Sequence, residues 1–222
     1  MILDIRCHAI LDPEHCRDRS LPDMARAAVA GGATILQYRD KRGTTREMVE
    51  RTRAIVAALS GSGVPLLVND RADVAFAGGA AGVHVGQEDL DPRDARRLLG
   101  PAAIVGQTVK TDAHAAAVPV DVVDYVCIGG VYTTVSKHNP EPPVGLDGLS
   151  RFAGLIRARR ADLPVGAIAG ITAANAAAVV AAGADGVAAI SEIFMADDVA
   201  AATAALVGAV AAGLAMRTGA AR

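Results

Sequence analysis

A single unit recurs three times along this chain and restricts what it can fold into. It reads Ala-Val-Ala-Gly-Gly-Ala-Thr-Ile-Leu at 28–36, Ala-Phe-Ala-Gly-Gly-Ala-Ala-Gly-Val-His-Val at 75–85 and Val-Ala-Ala-Gly-Ala-Asp-Gly-Val-Ala-Ala-Ile at 180–190. In each, an alanine-rich stretch suited to a helix ends at a glycine, and a short apolar run suited to a buried strand follows. On this pattern strands are predicted near 3–11, 34–39, 65–69, 82–86, 103–108, 124–130, 164–170 and 185–191. Helices are predicted near 21–31, 44–60, 72–78, 92–99, 112–117, 146–160, 173–182 and 197–216. Short apolar strands alternating with helices imply a parallel sheet covered on both faces. Eight such units close most economically into a (β/α)₈ barrel, here one domain over residues 1–222. An open doubly wound sheet is the alternative, but no GxGxxG follows the first strand to support it.

Composition narrows the function classes. With 22 basic and 24 acidic residues the net charge is −2, too even for a nucleic-acid or membrane-surface footprint, so any anion binding must be local. Cys7, Cys16 and Cys127 form no CxxC pair and no even set, which fits a reducing cytoplasm. Asp4 and Arg6 interrupt the N-terminal apolar run, which argues against an export signal. Residues 199–216 carry no charge, yet Leu206, Val210 and Leu214 recur every four positions, as on the buried face of a core helix rather than a membrane span.

In a barrel of this kind the ligand site lies at the C-terminal strand ends. Strand two runs out into Gln37-Tyr-Arg-Asp-Lys41, and alternation puts Gln37, Arg39 and Lys41 on one face, where two cations and an amide suit an anion. Strand three ends at Asn69 and Asp70, and Asp89 follows strand four. Carboxylates beside cations suit Mg²⁺ held jointly by protein and phosphate oxygens. Asp70 and Asp89 also read, taken singly, as helix N-caps. After strand six, Thr133, Thr134, Ser136 and Lys137 offer hydroxyls and a charge in a loop stiffened by prolines. Strands seven and eight end at Gly170 and at Ile190-Ser191, where backbone amides could meet a second phosphate. His84, between Val83 and Val85, reads as a packed side chain, and no histidine spacing suits a metal. No nucleophile elbow, P-loop or zinc cluster is present in the sequence.

Four segments carry a resemblance over essentially the whole chain: Gln-Tyr-Arg-Asp-Lys at 37–41, Val-Asn-Asp-Arg-Ala-Asp at 68–73, Gly-Val-His-Val-Gly-Gln-Glu-Asp-Leu at 82–90 and Val-Tyr-Thr-Thr-Val-Ser-Lys at 131–137. Their order and spacing resemble the thiamine phosphate synthases, which are (β/α)₈ enzymes. The resemblance implies a Mg²⁺-dependent transferase that joins a hydroxymethylpyrimidine diphosphate to a thiazole phosphate and releases diphosphate. It places Gln37, Arg39, Lys41, Asn69, Thr108 and Lys137 on the pyrimidine diphosphate, with Tyr38 and Asp40 of the first motif among the substrate-binding set, and Asp70 and Asp89 on Mg²⁺. Arg39, Lys41 and Lys137 would stabilise the leaving charge. Thr134, Ser136, Gly170, Ile190 and Ser191 match the thiazole phosphate positions.

Three positions depart from the family pattern: Thr108 stands for serine, Ser136 for threonine, and Ala169-Gly170 for two glycines. The implied partners are small molecules, with neither nucleic acid nor membrane, and a homo-oligomer stays open. Two other readings remain at this level. One is a thiazole phosphate tautomerase of the same fold, which needs no metal-diphosphate site; the other is a non-catalytic phosphate-ligand binding protein.

Overall fold

A computed structural model describes residues 3–134 and 142–219. Eight strands run β1 (Cys7–Leu11), β2 (Ile35–Tyr38), β3 (Leu66–Asn69), β4 (Gly82–Val85), β5 (Ile104–Val109), β6 (Tyr125–Ile128), β7 (Val165–Ile168) and β8 (Gly186–Ala189). All neighbours pair in parallel, and β1 closes on β8 through Cys7 opposite Val187 and Ala9 opposite Ala189. The closed barrel is thus the observed form, and the open sheet is excluded.

Helices α1 (Leu21–Ala30), α2 (Thr45–Ala58), α3 (Ala72–Gly78), α4 (Pro92–Leu99), α5 (Asp112–Ala117), α6 (Gly145–Arg157) and α7 (Ala176–Ala181) connect successive strands. A short helix α8 (Ser191–Phe194) and the long α9 (Val199–Gly219) follow β8. Their starts obey local chemistry. Thr44 and Glu47 exchange side-chain and backbone bonds at the head of α2, and Asp91 caps α4 ahead of Pro92. Helix α9 is long and apolar enough to cross a membrane, yet it packs on α7, α1 and β1 and buries Val199, Leu206 and Val210.

The core has two layers. Leu36, Tyr38, Val83, Val105 and their alternates face outward against the helices, while Ile10, Ile35, Leu67, Tyr125 and Cys127 fill the barrel. Gly106 makes room for the Tyr125 ring, since a Cβ there would fall 2.2 Å from it. At the opposite, N-terminal end of the barrel a device repeats. The residue just before an even strand takes a backbone N–H from the first or second residue of the strand before it: Thr34 from Cys7 at 3.1 Å, Asp124 from Val105 at 2.7 Å and Asp185 from Val165 at 2.9 Å. Asp124 and Asp185 also hold Arg96 of α4 and Arg157 of α6, tying the helices to the ladder.

Candidate active site

At the C-terminal strand ends lies a cavity of about 330 Å³. Gln37, Asn69 and Thr108 line one side, and Thr133, Thr134, Gly170, Ile190 and Ser191 the other. Its floor is a buried polar network. Gln37 Nε2 donates to His8 Nε2 at 3.2 Å, and His84 sits 2.8 Å from both the Tyr125 hydroxyl and Thr108 Oγ1. Burial and the neighbouring His84 push His8 down to about 3, so its imidazole is neutral and can accept from Gln37. His84 is therefore packed, as alternation in β4 predicts, and it also lines the cavity through its contact with Thr108.

Outside this cavity, at the rim over β1–β4, stand two charged clusters. Arg39 pairs with Asp12 in a contact that is nine-tenths buried. Lys41 pairs with Asp70, which is itself joined to Asp89. Alternation expected Gln37, Arg39 and Lys41 to converge on one face. The structure corrects this, because β2 ends at Tyr38: Gln37 enters the barrel, while Arg39 and Lys41 belong to the following loop and reach different carboxylates.

Asp70 and Asp89 are not caps. Arg71 is the N-cap residue of α3 and Asp91 that of α4, whereas Asp89 accepts the Gly86 N–H at 2.7 Å and turns back toward Asp70. Burial and the Asp70 carboxylate raise the Asp89 pKa, although the Gly86 N–H and Lys41 work the other way. Asp70 is held at φ 63°, in the left-handed region where a non-glycine residue is under strain. Two carboxylates forced together beside a lysine form a donor set that fits one hard cation completed by phosphate oxygens. Among the described residues no third His, Cys, Asp or Glu joins them.

Neither Tyr38 nor Asp40 lines the cavity. Tyr38 is 1 % exposed and lies between sheet and helices, where its hydroxyl donates to Asp40 at 2.7 Å. Asp40 accepts from the Arg42 and Gly43 N–H groups and pairs with Arg51 of α2 at 2.6 Å. Burial alone would raise its pKa, but those backbone bonds, Tyr38 and Arg51 together lower it. The pair fastens the β2–α2 loop. Ser136 and Lys137 lie outside the described residues.

Gly170 and Ala169 form a reversal after β7, with φ of 63° and 90°. A Cβ at Gly170 would meet Thr133 O at 2.4 Å, so glycine there serves close packing against the loop after β6 as well as access to the cavity. Two residues escaped the sequence reading. Lys110 lines the cavity two positions beyond Thr108, and the alternation that singled out Gln37 would have found it. Asp12 follows β1 directly, where no motif or periodicity marks it.

These features define a class: a single (β/α)₈ barrel enzyme with one polar-floored cavity at the strand ends and charged clusters on its rim. The comparisons narrow the class to a family. A profile described as thiamine monophosphate synthase matches residues 7–193, and this chain belongs to that family. It is 53% identical over 201 residues to a thiamine-phosphate synthase of Agrobacterium fabrum, covering 90% of this chain and 91% of that protein. A thiamine-phosphate synthase of Roseiflexus castenholzii is 46% identical, covering 90% and 85%. The solved thiamine phosphate pyrophosphorylase of Pyrococcus furiosus superposes with a TM-score of 0.82 at 31% identity, covering 96% of this chain and 98% of that one. The chain is accordingly an enzyme of thiamine-phosphate synthesis, a transferase.

Proposed function

We propose that the cavity holds a thiazole phosphate and an aminopyrimidine at once, that the pyrimidine's diphosphate extends onto the rim, and that Asp70 and Asp89 hold Mg²⁺ there. The observation that carries this reading is the layout of one cavity with an amide-and-hydroxyl side at Gln37, Asn69 and Thr108 and a backbone-rich side at Gly170, Ile190 and Ser191, with cations just outside the first. A tautomerase needs no carboxylate pair. The joined Asp70 and Asp89 therefore favour the transferase chemistry over that rival.

Bound Mg²⁺ would supply neutralising charge to the diphosphate oxygens. The chain's own groups do the rest. Gln37, Asn69 and Thr108 orient the pyrimidine end, and the neutral His8 fixes Gln37 without adding charge to the floor. As the C–O bond to diphosphate breaks, the electron pair leaves with the diphosphate, whose growing charge faces Arg39 and Lys41; the family resemblance adds Lys137, which lies outside the described residues. The electron-rich pyrimidine bears the resulting cation, and the thiazole nitrogen closes the C–N bond with its lone pair. No proton has to be abstracted for this step. Holding the two reactants within one cavity supplies the orientation on which the rate depends. The buried, unpaired Cys7, Cys16 and Cys127 support a reducing cytoplasm as the compartment.

The test is an assay with both substrates and Mg²⁺ that follows diphosphate release and thiamine phosphate together. Stoichiometric appearance of both supports the reading. Conversion of the thiazole phosphate alone would replace it with a tautomerase, and ligand binding without product would reduce the protein to a binding module. Replacing Asp70 or Asp89 with asparagine is expected to lower kcat by about a hundredfold or more while the fold persists.

A further inference from the structure

We propose that Asp12 is the positioning residue for Arg39, setting the direction in which that guanidinium meets the diphosphate. The proposal rests on the reading of Arg39 given above and adds a residue to it.

Asp12 is 1 % exposed, a depth at which a carboxylate persists only with partners. It has them on every side. Its Oδ1 accepts the Glu14 N–H at 3.0 Å, and its Oδ2 accepts from Arg39 Nη1. Its carbonyl takes the His15 N–H at 2.9 Å and the Cys16 Sγ at 3.1 Å. The short 3₁₀ turn Pro13–His15 thus locks the Asp12 main chain, and the main chain locks the carboxylate. Arg39 is gripped at both ends by the same strand terminus, because its own N–H donates to Leu11 O at 3.0 Å.

The two rim cations differ in consequence. Lys41 is half-exposed where it meets Asp70, so solvent and ligand can exchange that pair, whereas the Arg39–Asp12 contact is nine-tenths buried and little screened by solvent. Arg39 therefore keeps Asp12 when an anion arrives. A guanidinium is a rigid planar fork of five N–H groups, so engaging Nη1 fixes where the remaining edge points. Lys41 follows the ligand, and Arg39 is built to wait for it.

The experiment measures KM for each substrate and kcat in Asp12→Asn, Arg39→Met and the double variant, each first confirmed folded by circular dichroism. Asp12→Asn is expected to raise KM for the pyrimidine diphosphate by about tenfold or more while changing that for the thiazole phosphate by less than about twofold. In the Arg39→Met background the same change is expected to add less than about twofold, because the residue through which it acts is gone. If Asp12→Asn lowers only the melting temperature and leaves the diphosphate KM at the parental value while Arg39→Met raises it, the positioning role is refuted and the reading of Arg39 stands. A parental KM in Arg39→Met removes that reading and the proposal with it. Should Asp12→Asn fail to fold, Asp12→Glu keeps the charge but displaces it, and a parental diphosphate KM in that variant refutes the proposal equally.

Discussion

Ala169→Gly is expected to stabilise the fold. Ala169 sits at φ 90°, far from any basin an alanine favours, in the reversal that carries the chain from β7 past the cavity. The surroundings hold it there, since its carbonyl accepts the Tyr132 N–H at 3.1 Å and the next residue, Gly170, is packed against Thr133. A non-glycine residue kept in such a region costs about 1–3 kcal/mol. Glycine removes that strain but brings back about 0.5–1 kcal/mol of unfolded-chain entropy. The balance is a gain of about 1 kcal/mol, which for a domain of this length is roughly 2–4 °C in Tm. Scanning calorimetry of the two proteins, with denaturant unfolding to show that the midpoint moves while the slope does not, measures it directly. An equal or lower Tm would mean that Ala169 is not strained and that its methyl contributes packing worth at least as much as the backbone cost.

Two further predictions concern the cavity and the rim. Gly170→Val places a Cβ at 2.4 Å from Thr133 O at a residue whose φ is 63°, so the loop after β6 must move; the variant is expected to lose about 2–4 kcal/mol of stability and to bind the thiazole phosphate more weakly than the pyrimidine diphosphate, by calorimetry with each ligand. Asp89→Asn reads the raised carboxylate. The folded state holds that proton more tightly than the unfolded chain, so Asp89 lowers stability once pH rises above its ordinary range near 3.8, and below that range the penalty disappears. In metal-free buffer the variant is therefore expected to be more stable than the parent at pH 7, by less than about 1 kcal/mol because the site is open to solvent, and to match it near pH 3. A variant less stable than the parent at pH 7 would show that Lys41 dominates over the Asp70 carboxylate.

How far the sequence could be read depends on where the alternation of strands stops. Within β2, β4 and β8 side chains follow a strict two-residue period, so Gln37, His84 and the barrel itself were legible, including the boundaries of α3, α4 and α5. Beyond the strands the rule still holds for Lys110 but fails at Arg39 and Lys41. Tyr38 was grouped with the site by its motif, yet its parity turns it to the helix layer, and Asp40 closes a loop that no periodicity describes. The Arg39–Asp12 and Asp70–Asp89 contacts join residues far apart in the chain, and only closure of the barrel brings β1, β2, β3 and β4 to one rim. Helix α8 was missed because four residues are too few for a 3.6-residue period to show.

The distribution of carboxylates over the two ends of the barrel separates stability from chemistry. At the N-terminal end, Asp124 and Asp185 each accept a backbone N–H of the ladder and an arginine of a covering helix on one oxygen, and Asp185 accepts from Arg217 on the other, so their charge is committed to the scaffold. At the C-terminal end, Asp70 and Asp89 face each other and a half-exposed lysine, an arrangement whose like-charge repulsion the fold tolerates without resolving. A cation between them would relieve that repulsion and at the same time release Lys41 toward an anion, so the two events favour one another. Binding of metal and of diphosphate should therefore be cooperative, each weak in the absence of the other, because the same lysine cannot neutralise Asp70 and a phosphate together. Titration of Mg²⁺ by calorimetry with and without inorganic diphosphate reads this coupling directly, and equal metal affinity in both series would show that Lys41 keeps Asp70 throughout.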